Sequence, residues 1–143
     1  MAKQFTLGKN ERLKSRKQIE QLFSEGKNIS VFPFRIYFLL YPFTIHNSLK
    51  ESLRTQFAIQ FGVGVGGKNF KKAVDRNRIK RLIREAYRLQ KGPLQNQVAA
   101  NNQQLNLFFV YASKEMPDHK FIYDKMTVAL QKTSSEIEKQ PAK

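Results

Sequence analysis

The run Asp75-Arg76-Asn77-Arg78-Ile79-Lys80-Arg81-Leu82-Ile83-Arg84-Glu85-Ala86-Tyr87-Arg88 carries six cations. At about 100° per residue, Ile79, Leu82, Ile83 and Ala86 share one helical face. Arg76, Lys80, Arg84 and Arg88 run along the opposite side, with Asn77 and Arg81 beside them. Such a helix docks on a core by one face and offers a rigid comb of cations by the other. The chemistry this permits is the binding of an evenly spaced polyanion, and a nucleic-acid backbone is the commonest one. A charge run is ordinarily a solvated face, but a solvated helix interleaves acids to gain i,i+4 pairs. Here only Glu85 interrupts the basic face, and the cations at 76, 80, 84 and 88 repel one another.

Other constellations are weaker. Gly64-Val65-Gly66-Gly67-Lys68 precedes the helix, but Asn69 follows Lys68 and the Gly-x-x-x-x-Gly-Lys-Ser/Thr spacing is absent. It reads as a turn whose amides and Lys68 touch a phosphate, not as a nucleotide-binding loop. Arg35, Tyr37 and Tyr41 alternate along one strand face. They suit a stacking platform for unpaired nucleotides and equally a Tyr-rich strand beneath a helix; composition leaves both open. His46 and His119 lie in apparent loops without partner patterns, and the eleven acids are scattered. Metal-dependent nucleases need clustered carboxylates, so any catalysis is expected from another molecule.

Composition agrees with a polyanion partner. The chain has 143 residues, a net charge of +15 and 12% aromatic residues. A disordered basic tail is not this aromatic, and the length suits one domain with a single core. Residues 66–91 hold ten Lys/Arg against Asp75 and Glu85, more than half of the net charge. Without cysteine there are no disulfides and no thiol chemistry. No apolar run approaches the roughly 20 residues of a membrane span, and the N-terminus lacks a signal-peptide core. The expectation is a soluble cytoplasmic protein with no membrane and no small-molecule substrate.

The elements that must position the basic helix follow from caps and periodicity. Residues 1–13 read as a flexible basic arm and 140–143 as a flexible tail. Ser15 caps a helix over about 16–25, which Gly26 ends; Ile19, Leu22 and Phe23 share its face. A short extra strand is a candidate near 27–31. Residues 31–43 read as a long strand with Phe34, Ile36, Phe38 and Leu40 on one face, bounded by Pro33 and Pro42. After a polar connection at 44–55, a strand from Phe57 to Val65 puts Ala58, Gln60, Gly62 and Gly64 on its second face, leaving room for another backbone or a ligand. The basic helix is expected to stop at Gly92-Pro93, and 95–104, rich in Gln and Asn, to be a surface loop. Residues 105–112 form a strand and 118–139 a last helix. The expected fold is an α/β (α+β) sandwich, a small central mixed sheet covered by helices in the order α-β-β-β-α-β-α. A parallel strand-helix-strand unit would by default cross over right-handedly.

The run Lys72-Ala73-Val74-Asp75-Arg76-Asn77-Arg78-Ile79-Lys80-Arg81-Leu82-Ile83-Arg84-Glu85 closely resembles the signature of the bacterial ribonuclease P protein component, with its Arg-Asn-Arg core at 76–78. Arg12-Leu13-Lys14, Ile19, Phe23, Gly26, Phe34 and Tyr37 resemble that family's first helix and long strand. The likeness spans about residues 10–130 and is strongest over 57–89. Ile19 stands where the family often has an aromatic, and Phe70-Lys71-Lys72 replaces a more usual Gly-Asn.

The resemblance implies a basic subunit that assists a catalytic RNA in cutting the 5′ leader from precursor tRNA, with Mg2+ serving the holoenzyme and no cofactor held by protein side chains alone. It assigns Lys68, Lys72, Arg76, Asn77, Arg78, Lys80, Arg81, Arg84 and Arg88 to the catalytic RNA. It assigns Ile19, Phe23, Arg35 and Tyr37 to a leader-binding cleft, and it implies a left-handed crossover. A ribosomal protein or RNA chaperone on a similar fold is the alternative, and a protein-only nuclease a third reading.

Overall fold

In the computed structural model, residues 12–13, 15–42, 58–101 and 103–139 are described. The 44–55 connection, Phe57 and the 140–143 tail lie outside them, as does the arm apart from its last two residues.

Ser15 starts the first helix, α1 (Arg16–Glu25), by accepting from the Gln18 amide. Gly26 ends it in an extended conformation. Glycine is needed there for room, since a Cβ would lie 2.9 Å from the Phe38 carbonyl oxygen. Strand β1 (Lys27–Val31) follows directly, then β2 (Phe34–Pro42). The long strand expected from residue 31 therefore begins at 34. Val31 belongs to β1, and Phe32-Pro33, joined by a cis peptide, makes the hairpin turn. Proline has no N–H for a ladder, so the turn falls where Pro33 stands.

Strand β3 (Ile59–Val65) leads through a turn at 67–69 into the basic helix α2 (Ala73–Gln90). A second helix, α3 (Gly92–Ala100), comes next, where a stop and a surface loop were expected. Pro93 sits in its first turn, the one helical place where a missing N–H costs nothing. Leu94 and Val98, one turn apart, are buried against the core, and so is Gln95. The last strand is β4 (Gln103–Tyr111), beginning two residues before its expected start, and α4 (His119–Glu138) closes the fold. Asp118 caps α4 by accepting from the Phe121 amide at 2.8 Å.

The sheet order is β1-β2-β4-β3. The β1–β2 and β2–β4 pairs are antiparallel, and β3–β4 is parallel. The chain crosses from β3 to β4 through α2 and α3. The register puts Phe34, Ile36, Phe38, Leu105, Leu107, Phe109, Ile59, Phe61 and Val63 on one face. All nine are buried, and α2, α3 and α4, with Ala58, Phe70 and Tyr111, supply the rest of that core.

The second face carries Arg35, Tyr37, Tyr41, Phe108, Val110, Gln60, Gly62 and Gly64, and α1 packs on β2. The Phe61 and Tyr87 rings stack at 3.9 Å and 2°, a contact of about 0.5–1.5 kcal/mol beyond burial. With Ile79, Ile83 and Ala86 also buried, this fixes the rotation of α2 and so the side it turns to solvent. No described helix is long and apolar enough to cross a membrane.

Candidate RNA interface

The rotation of α2 sorts its cations differently from the helical wheel. Asn77, Arg78 and Arg81 are exposed, whereas Lys80, Arg84 and Arg88 are half-buried. Arg78, Arg81, Leu82, Arg84, Glu85 and Arg88 line a groove of about 580 Å³, and Arg12 joins them from outside the helix. Arg12 reaches it because residues 12–13 run beside β3. Arg12 bridges to Phe61 in parallel, the Leu13 amide donates to the Phe61 carbonyl at 2.8 Å, and the Leu13 side chain is buried. Five arginines and one carboxylate thus line the groove.

The electrostatics of the groove follow from that crowding. Partial burial lowers the Arg84 pKa from its usual value, and the nearby Arg12 charge pushes it further the same way. An anion in the groove would offset the repulsion between these two cations. Glu85 is engaged by Arg88, whose Nε donates to Oε1 at 2.9 Å and Nη2 to Oε2 at 2.6 Å. This bidentate pair lowers the Glu85 pKa and raises that of Arg88. Arg88 is therefore less available than its place in the comb suggests.

Arg76 points away from this groove's lining. Its Nη1 donates to the carbonyls of Phe70 and Lys71, 2.8 Å each. Lys68 and Lys72 stay exposed on either side of buried Phe70. The nine cations and amides singled out in the sequence thus divide among the groove, the loop before α2, and the neighbouring surface that holds Asn77 and Lys80.

The second surface is aromatic. Phe23, 46% exposed, meets Tyr37 edge-on at 4.7 Å and Phe108 at 5.3 Å and 90°. Ile19 stands one turn before Phe23 on α1 and is half-buried, and Arg35 is exposed on the strand face of Tyr37. Tyr41 takes no part, because its hydroxyl donates to Asn106 Oδ1 at 3.0 Å. Burial raises its pKa, and that hydrogen bond offsets part of the rise.

Phe108 was not singled out in the sequence, and Arg12 entered only in the family resemblance, with no site role. Phe108 is found by the register alone, since it pairs with both Tyr37 and Gly62. Its ring fills the space left by the two glycines of β3. A Cβ at Gly62 would lie 2.7 Å from Phe108 Cδ2, and one at Gly64 3.1 Å from Cε1. The room expected there for a ligand is taken by this ring.

Comparison with known proteins identifies the family. The family model described as Ribonuclease P matches residues 7–134. A ribonuclease P protein component from Porphyromonas gingivalis is 36% identical over 126 residues, covering 88% of this chain and 85% of its own. One from Chlorobaculum tepidum is 33% identical over 112 residues, covering 76% and 68%. Among solved structures, the Thermotoga maritima RNase P protein superposes with a TM-score of 0.60 at 23% identity, covering 85% of this chain and 96% of its own. The Staphylococcus aureus RNase P protein gives 0.58 at 18%, covering 86% and 94%. The match along nearly the whole length, on a fold that pairs a basic helix with an aromatic sheet face, places the chain in the bacterial ribonuclease P protein family, the protein subunits of the endoribonuclease that matures tRNA 5′ ends.

Proposed function

We propose that the arginine groove on α2 binds the phosphate backbone of the catalytic RNA, and that the aromatic face receives the 5′ leader of precursor tRNA. The observation that carries this is the convergence of Arg12 with Arg78, Arg81, Arg84 and Arg88 around a groove holding one carboxylate, itself already paired. Asn77, Lys80, Lys68, Lys72 and Arg76 extend the same basic surface, the lysines as point-charge phosphate contacts. Phe23, Tyr37 and Ile19 offer apolar faces to unpaired bases, and Arg35 offers a charge to the leader backbone.

In this reading the protein positions and the RNA cleaves. Among the described residues no three His, Cys, Asp or Glu side chains cluster as a metal site. The Mg2+ expected for the holoenzyme is assigned in this reading to the RNA, and this chain's side chains bind and orient. The proposed compartment is the cytoplasm, where precursor tRNA is made.

Reconstitution tests the reading. At near-physiological salt and low magnesium, cleavage of precursor tRNA is expected only with cognate catalytic RNA and protein together. Cleavage by the protein alone would overturn RNA catalysis. Intact RNA binding without stimulation would favour a plain binding module.

A further inference from the structure

Arg76 belongs to the Arg76-Asn77-Arg78 core, yet its guanidinium turns back onto its own chain. Both Nη1 hydrogens are committed, one to the Phe70 carbonyl and one to the Lys71 carbonyl, at 2.8 Å each. A Cβ on Gly67 would lie 3.9 Å from the same nitrogen, so the 67–69 turn closes beside it. Phe70 is buried, with its ring 6.1 Å from that of Tyr111. That ring anchors the middle of the loop, and Arg76 ties the backbone around it to the first turn of α2. Lys68 and Lys72 project into solvent from the segment so held.

We propose that Arg76 is a positioning residue that fixes the Lys68–Lys72 loop as a preformed phosphate clamp. The inference rests on the reading of the basic surface as an RNA site. Its physical basis is preorganisation: two long side chains on a wandering loop lose more freedom on binding than two on a pinned one. The planar guanidinium holds two carbonyls in one geometry, whereas a lysine ammonium is a compact charge on a flexible four-carbon stem. Arg76→Lys therefore keeps the charge and loses the tie.

Two measurements on the full chain test this. In the RNA-free protein, backbone order parameters at residues 68–72 are expected near the rigid value of about 0.85, falling below about 0.6 in Arg76→Lys and Arg76→Ala. Arg78→Lys serves as the folded control and leaves them unchanged. In binding to catalytic RNA, Arg76→Lys is expected to weaken affinity roughly tenfold, but less than about twofold where Lys68 and Lys72 are already alanine, as coupled residues are non-additive. Wild-type order parameters in Arg76→Lys overturn the proposal. So does an undiminished loss in the double-alanine background, which makes Arg76 a direct phosphate ligand. Unchanged affinity on Lys68→Ala with Lys72→Ala removes the loop from the RNA site, and the order parameters still report whether Arg76 pins it.

Discussion

The Phe23 ring stands perpendicular to that of Phe108, with centroids 5.3 Å apart, so an exposed aromatic of the first helix is held by a residue of the last strand. Phe108 in turn rests on two glycines. At Gly62 an added Cβ would lie 2.7 and 2.9 Å from ring carbons and 3.2 Å from the Leu13 carbonyl. At Gly64 the approaches are 3.1 and 3.2 Å. Gly62→Ala is expected to destabilise by about 1–3 kcal/mol, as overpacking does, and Gly64→Ala by less. The midpoint of urea unfolding, at unchanged m-value, reads the difference. Equal midpoints would mean that the ring moves freely and does not hold Phe23.

The aromatic face should distinguish substrates. Tyr37→Ala and Phe23→Ala are expected to weaken binding of leader-bearing tRNA by about 1–3 kcal/mol, the range for one stacked base, and to leave mature tRNA within about twofold. Holoenzyme affinities for the two RNAs make the comparison. An equal loss for both would place the leader elsewhere.

Glu85 restrains the groove. Its pKa is held below the usual carboxylate value by Arg88, so the pair's contribution to stability is complete above the unfolded pKa of about 4.3 and fades as pH falls through the lower folded value. The stability difference between wild type and Glu85→Gln should be flat from pH 8 to 5 and shrink in stronger acid. At neutral pH Glu85→Gln removes the one negative charge that lines the groove beside Arg88, and the log–log salt slope of RNA binding should steepen by about 0.7–0.9 for one added phosphate contact. A slope equal to wild type would mean that Arg88 stays out of contact even without that charge.

The limits of α1 could be read residue by residue, because Ser15 and Gly26 act within one turn of the helix they bound. The second strand's inward face was equally legible from alternation. Helix α3 was not, because Gly92-Pro93 stops one helix and starts another with the same residues, and Leu94 with Val98 was the only periodic signal inside a Gln- and Asn-rich stretch. The split at Pro33 likewise depended on reading a bounding proline as a hairpin turn.

Packing rearranges the cations that the helical wheel groups together. The wheel put Arg76 and Arg88 among free cations, whereas one binds loop carbonyls and the other a carboxylate. Arg12 looked like part of a flexible arm until its backbone was seen against Phe61. Phe108 needed the β2–β4 register, which no local pattern supplies. Family membership, shown along most of the chain, replaces the ribosomal-protein or chaperone reading.

The salt dependence of catalytic-RNA binding tests the arginine groove most directly. Arg81→Ala and Arg12→Ala are each expected to reduce the log–log slope by about 0.7–0.9, one phosphate contact apiece, while Lys132→Ala on the exposed side of α4 leaves it unchanged. An unaltered slope in both arginine variants would contradict the claim that the groove holds the RNA backbone.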